Sequence, residues 1–393
     1  MQRAFAVLLV VGLALSAAAP TAGAADTESC VGPVERPADG ETFVATRGFR
    51  PTGGTIEKRP AFLVAVDRRA APARSRNLAD RDRFVGRSVS VSEAGVLLVT
   101  REGNHSVVEL LDAAFRPTWT ARFGVDGGPR ATVDAHAALL DPDGVVVAAD
   151  DRLVRYDPAS DRVDRTWPLP DDAVAEPERR VTDVAAAEEG YLVTVAGNGT
   201  GSLLAVRDDG VAWRVDGLAE PAAVQSLGGT ALVAETAADR VVELDRSGET
   251  VWALAGLHRP ESVRRLPGGA TLVADGGTHR VLTVSPRGRV LWTTYVPWEP
   301  ADVDRAVSGD PPTAAAIGVE GRHHVDGENA TLEELAACRA GLASLDTNRS
   351  ERARTVADDG APLGAVAALA LGAVVLALAA RRQIGRASCR ERV

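Results

Sequence analysis

Along this chain, short apolar runs alternate with turns rich in Gly, Asp and Pro, and the alternation repeats. In the two clearest copies, Leu227-Gly-Gly-Thr-Ala-Leu-Val-Ala-Glu235 aligns with Leu266 to Asp275 when Gly229 is placed on Gly269. Asp239 to Leu244 then aligns with His279 to Val284, and Arg246 to Trp252 with Pro286 to Trp292. Each copy reads as a Gly turn followed by a Val/Leu run suited to a strand buried on both faces. An alternating strand such as Arg240-Val-Val-Glu-Leu244 comes next, and a turn leads to a last strand that ends near the tryptophan. Such a meander cannot cover its own faces, whereas a ring of copies can.

Five tryptophans mark the period: Trp119, Trp167, Trp213, Trp252 and Trp292, at intervals of 48, 46, 39 and 40 residues. Four-stranded blades have this size. Looser copies occur at Glu93–Thr100, Asp143–Ala149 and Gly190–Val195, and Ala61–Asp67 reads as a degenerate one. The expected fold is an all-β propeller over 25–305 with six blades, seven being the alternative count.

The ends follow other patterns. Arg3 precedes an apolar run from Ala4 to Ala19, and Ala22-Gly23-Ala24 fits a cleavage site, so 1–24 reads as a secretory signal peptide. Ala361–Ala380 carries no charge and as a helix would span roughly 30 Å, a membrane's hydrocarbon core. Arg381 and Arg382 follow it and belong on the cytoplasmic side, so 361–382 is expected to anchor the propeller outside the cell in a single pass. Residues 306–360 would be a juxtamembrane segment. Thr331 and Glu334 form a capping box there, and Leu332, Leu335 and Leu342 make one stripe, predicting a short helix from Thr331 to about Leu345. The last eleven residues, 383–393, match a translated sequencing adapter and are set apart from the fold; a basic cytoplasmic tail is the alternative.

That leaves Cys30 and Cys338 in the exported part, a pair that suggests a disulfide, two unpaired thiols being the alternative. Glycosylation acceptor patterns begin at Asn104, Asn198, Asn329 and Asn348. The net charge is −10, and Lys58 is the single lysine among 44 basic residues. An acidic shell excludes nucleic acid as a partner and is tolerable in strong salt, where self-repulsion is screened.

The phrase Leu-Pro-Gly-Gly-Ala-Thr-Leu-Val-Ala-Asp-Gly-Gly-Thr-His-Arg-Val-Leu-Thr-Val-Ser-Pro-Arg-Gly-Arg-Val-Leu-Trp, 266–292, resembles repeats of haloarchaeal arylsulfotransferase-like and NHL-type propellers. The resemblance is strong over 220–305 and thin before it. It implies the fold, and it would imply sulfuryl transfer through a funnel histidine, although no catalytic residue carries over by position.

The loops leading into each innermost strand are the natural place for a site. Gly217–Val224, Gly256–Val263 and Val296–Val303 align, making Ala219, His258 and Trp298 equivalent, and likewise Glu220, Arg259 and Glu299. His258 and Arg259 are the candidate catalytic pair. Glu261, Trp298, Glu299, Asp302 and His136 are candidate ligand contacts at the channel mouth. Arg and His suit an anion, Trp an aromatic ring. His279 and His105 fall at repeating turns and are expected to be structural. No metal-ligand spacing, phosphate loop or nucleophile elbow occurs, and no cofactor is expected. The leading expectation is a surface propeller that binds a small anionic or aromatic ligand or a surface protein. The alternatives are an arylsulfotransferase-like enzyme and a structural envelope protein. They separate on geometry: a transferase needs His258 in a concave pocket beside Arg259.

Overall fold

The computed structural model describes residues 27–52, 55–58, 61–78, 83–124, 134–174, 179–325 and 329–358. The signal-peptide expectation at 1–24 and the membrane-anchor expectation at 361–380 lie outside these residues. Among the described residues no helix is long and apolar enough to cross a membrane.

Six antiparallel sheets form six blades. Blade 1 has Pro300–Arg305 innermost, then Thr42–Thr46, Phe62–Val66 and Pro72–Asn77. Its innermost strand therefore comes from the end of the repeat region and its other three from the beginning, which closes the ring through backbone pairing. Blade 2 runs Arg83–Ser92, Gly95–Glu102, His105–Leu111 and Pro117–Phe123. Blade 3 runs Ala137–Asp141, Gly144–Ala148, Arg152–Asp157 and Arg162–Pro168; blade 4 runs Arg180–Ala187, Gly190–Gly197, Thr200–Arg207 and Gly210–Leu218. Blade 5 has Pro221–Ser226, Ala231–Glu235, Arg240–Leu244 and Thr250–Ala255, and blade 6 has Pro260–Arg265, Thr271–Asp275, Arg280–Val284 and Val290–Tyr295. Each innermost strand packs on the innermost strand of the next blade around the ring.

The apolar runs occupy the second strand of each blade, where both faces are covered. Thr42–Thr46, Ala231–Glu235 and Thr271–Asp275 are buried at every position. The periodic tryptophans fill the space between blades. Trp252 and Trp292 are fully buried, and the next blade's innermost strand lays an arginine over each ring: Arg265 at 4.5 Å from the Trp252 centroid, Arg305 at 4.9 Å from that of Trp292. Arg265 is also paired with buried Glu243 at 3.2 Å.

Four described strands lie outside the blades, and two of them, Phe49–Thr52 and Thr55–Lys58, pair as a separate hairpin between the second and third strands of blade 1. Val31–Val34 adds an antiparallel edge to blade 6, and Gly321–His324 adds a parallel edge to blade 5. The segment expected to be juxtamembrane thus contributes a strand to the ring. The capping box at Thr331 is present: the Thr331 backbone N–H donates to the Glu334 carboxylate, and the Glu334 N–H donates to the Thr331 hydroxyl. The helix it starts is longer than the apolar stripe predicts and runs Leu332–Asp358. Beyond Leu345 the chain carries no Pro or Gly until Gly360, so nothing in the sequence stops it.

Cys30 and Cys338 form a disulfide across 308 residues, with α-carbons 4.8 Å apart. The helix is held further by the Ser75 hydroxyl, which donates to the Leu342 carbonyl at 2.7 Å, and by Leu342 and Leu345 in the apolar cluster around Val64 and Trp292. Cross-linking so long a loop restricts the unfolded chain strongly. Replacing Cys338 by Ser is expected to lower unfolding stability by roughly 2–5 kcal/mol, measured by denaturant titration of the full chain. An unchanged midpoint would show that the bridge does not secure the helix.

Candidate functional site at the channel mouth

The site is built on a repeated local device. In blades 5 and 6 the acid that ends the second strand clamps two neighbours. The Ala219 N–H donates to Glu235 at 2.7 Å and the His258 N–H to Asp275 at 2.6 Å. Arg240 Nε donates to Glu235 and Arg280 Nε to Asp275, at 2.6 and 2.9 Å. The Asp and His-Arg-Val phrase that carries the family resemblance is therefore fold-bearing. His279 itself sits in the left-handed region at φ 56°, as does its repeat partner Asp239 at 53°, and its Nδ1 accepts the Glu299 N–H at 3.1 Å. His105 Nδ1 bonds the Gly124 carbonyl at 3.0 Å. Both histidines do structural work, as their turn positions predict.

The lead-in loops repeat in conformation too. Glu220, Arg259 and Glu299 have φ of 52°, 50° and 38°. They surround one end of the channel, which opens into a cavity of about 780 Å³. Its wall includes Arg259, Glu261, Asp302 and His136 of the expected residues, and Arg47, Arg87 and Asp183, which the sequence did not single out.

At the rim, four side chains form a closed ring of ion pairs. Arg47 Nη1 lies 2.8 Å from Glu299 and 3.0 Å from Glu261, and Arg259 Nη2 lies 3.0 Å from each glutamate. The ring spans both sides of the closure, since Arg47 follows the second strand of blade 1 and its N–H also donates to the Glu299 carbonyl at 3.0 Å. Burial pushes the Glu261 carboxyl up, reinforced by Glu299, against the pull of Arg47 and Arg259. Burial acts in the same sense on Glu299, but the two guanidiniums outweigh it and hold that carboxyl low. Arg259 therefore lies beside Glu261 and Glu299.

His258 and Trp298 do not reach the cavity wall. His258 is exposed, tied by its backbone to Asp275 and to the Gly277 N–H. Trp298 lies under Arg339 of the helix, 4.5 Å from guanidinium to ring, with His279 edge-on at 6.5 Å. The reason is local. Trp298 has φ of 65°, whereas His258 at the same repeat phase has no such twist, so equal phase does not aim the two side chains alike. A His258–Arg259 catalytic pair inside a pocket is absent from this arrangement.

His136 takes the wall position instead. Its Nε2 contacts Asp150 at 2.6 Å, and burial lowers its pKa despite that contact, leaving a neutral imidazole near pH 7. Asp134, His136 and Asp150 bring their ligand atoms within 4.8 Å of one another. Asp134, however, is gripped by both terminal nitrogens of Arg87, at 2.7 and 3.2 Å, and takes the Ser106 hydroxyl. Burial acts to raise its pKa, but Arg87 and Ser106 prevail and hold it at about 2. The cluster reads as an ion-pair network between blades 2 and 3.

Deeper in the channel, Asp183 and Asp302 face Arg264, each 3.8 Å from a terminal nitrogen. Burial, with Asp302 adding to it, raises the Asp183 carboxyl to about 7 against the effect of Arg264. The sign is that of a raised acid: the folded state favours the protonated form, so ionisation costs stability as pH rises from the unfolded-chain value of about 4 toward 7. Asp183→Asn is expected to gain stability over the parent at pH 8 and little at pH 4, read from paired thermal melts. A gain confined to low pH would reverse the assignment.

His258→Ala is expected to leave stability within about 0.5 kcal/mol. Trp298→Ala removes the helix's aromatic seat and is expected to cost about 1–3 kcal/mol. Equal, small effects in chemical denaturation would contradict this placement.

No family model and no curated protein matches the chain. Solved structures do. A protein of unknown function from Bacteroides caccae is 14% identical with a TM-score of 0.50, covering 72% of this chain and 98% of its own. A propeller from a nidogen/laminin complex is 12% identical, covering 68% and 98%, with a TM-score of 0.49. Virginiamycin B lyase from Staphylococcus aureus is 10% identical, covering 62% and 84%, with a TM-score of 0.40. At such identities the likeness concerns the fold, and the chain is a six-bladed β-propeller.

Proposed function

We propose that this chain is a propeller held outside the cell by its C-terminal apolar segment, binding a small charged ligand in the channel mouth. The cavity of about 780 Å³ carries this reading, because its wall gathers charged side chains from the ring closure and several blades. A paired guanidinium is a directional donor that exchanges its carboxylate partner for a ligand anion at modest cost when half exposed. Arg259 fits, with its side chain 58% exposed, and so does Arg47 at 32%.

The membrane and export parts of the proposal rest on the sequence of 1–24 and 361–382. The arylsulfotransferase-like reading keeps one favourable observation. His136 lies on the cavity wall, neutral and beside Asp150, so it is the histidine to test for a sulfo-adduct after incubation with an aryl sulfate.

The test of the binding reading is a saturation-transfer NMR screen of small charged and aromatic compounds against the full chain and Arg47→Ser/Arg259→Ser. The expected result is hits on the parent whose affinity drops at least tenfold in the double variant. Hits that bind both proteins equally would move the site away from the mouth.

A further inference from the structure

We infer that the channel below the mouth receives an ammonium group between Asp183 of blade 4 and Asp302 of blade 1. This inference rests on the mouth-binding reading and names the charge of the ligand's inner end.

Asp183 and Asp302 line the cavity, come from different blades and are each 5% exposed. Their oxygens have backbone partners. Asp183 accepts the Val224 N–H at 2.9 Å, and Asp302 accepts those of Val89 and Val303, both at 2.8 Å. The Ser262 hydroxyl also donates to Asp302. These bonds fix two carboxylates at the wall, but they bring no positive charge.

The cation at hand is Arg264, and it is shared. Its Nη1 donates to the Val263 carbonyl at 2.9 Å and the Val224 carbonyl at 3.4 Å, and both carboxylates stay 3.8 Å from a terminal nitrogen, beyond a hydrogen bond. Asp304, two residues beyond Asp302 on the same strand, also draws on Arg264 while its carboxylate takes the Val91 N–H. One guanidinium thus serves at least two wall carboxylates, and a buried charge without a full partner is costly. In an empty channel a proton can supply the missing charge, which agrees with the raised pKa of Asp183. A ligand ammonium, with three donors and a compact charge, would supply it instead and pair with both carboxylates. An anionic group on the same ligand would then lie toward the rim arginines Arg47 and Arg259.

The groups around Asp183 give the pH dependence its sign. Arg264 faces it from blade 6 and Asp302 from blade 1. The blade 5 innermost strand, Pro221–Ser226, carries no ionisable side chain. On blade 3, Asp141 at the far end of the strand is bonded by the Tyr191 hydroxyl, and His136 stands at the rim against Asp150. Of these, Asp183 is the carboxyl held near 7, so cation binding should strengthen as pH rises through that value.

The experiment uses the full-length protein and three matched probes: 4-phenylbutylammonium, 4-phenylbutyrate and 4-phenylbutanol, titrated by saturation-transfer NMR at pH 8 and pH 5.5. The expected result is saturable binding of the ammonium at millimolar concentration, at least tenfold tighter than the alcohol. It should weaken at pH 5.5 and weaken at least tenfold in Asp183→Asn, whose amide keeps the Val224 bond and hence the fold. No saturable ammonium binding overturns the inference, as does displacement of the ammonium by an equal concentration of potassium. Ammonium binding unchanged in Asp183→Asn also overturns it. If only the butyrate binds, and Arg47→Ser/Arg259→Ser abolishes it, the inference fails while the mouth-binding reading stands.

Discussion

The innermost strands of a propeller are sheet edges, and their outward N–H and C=O groups have no ladder partner. Burying them around a central channel requires other partners, because an unpaired buried amide costs about as much as a lost hydrogen bond. In this chain each junction between consecutive blades carries a polar side-chain stitch. Asp302 and Asp304 of blade 1 take the Val89 and Val91 amides of blade 2. Arg87 of blade 2 holds Asp134 and the Ala135 carbonyl leading into blade 3, and Tyr191 of blade 4 donates to Asp141 of blade 3. Asp183 and Thr182 of blade 4 bond Val224 and Pro221 of blade 5. Gln225 of blade 5 brackets the Arg265 backbone of blade 6, donating to its carbonyl and accepting from its N–H. Ser262 of blade 6 returns to Asp302 of blade 1.

The same residues make the channel chemically active. A carboxylate is the strongest acceptor available for an edge amide. Using Asp at two junctions whose side chains also face the cavity places carboxylates at buried positions on its wall. The rim answers with Arg47 and Arg259 and the interior with Arg264. Scaffold and site are therefore not separable here: the groups that join blades 4 to 5 and 1 to 2 also set the electrostatics a ligand would meet. The disulfide and the helix stand apart from this system, on the outer side of blades 1 and 6, and steady the seam where the ring closes.

The fold was legible because it is a repeat. Aligning Gly229 with Gly269 placed the buried second strands, the tryptophans and the lead-in loops. The Cys30 and Cys338 pair and the Thr331–Glu334 box were legible for local reasons. The site was legible only in part. Arg259, Glu261 and Asp302 lie in the well-kept copies, where repeat phase locates them. Asp183 lies in a looser copy, yet Val181-Thr-Asp-Val184 has the pattern of Pro300-Ala-Asp-Val303 and could have been found. Arg47 could not, because it belongs to a link between strands of blade 1 that has no counterpart elsewhere. Repeat phase fixes the backbone position of His258 and Trp298 but not where their side chains point: Trp298, at φ 65°, packs under Arg339, and His258 is exposed.

Amide hydrogen exchange tests the stitching directly. The account predicts that the Val89, Val91 and Val224 amides, although on sheet edges, exchange as slowly as ladder amides of the same strands. In Asp183→Ala, Val224 alone should speed up by at least tenfold, with Val89 and Val91 unchanged. Fast exchange at all three positions in the parent protein would contradict the claim that side chains of one blade complete the inner edge of the next.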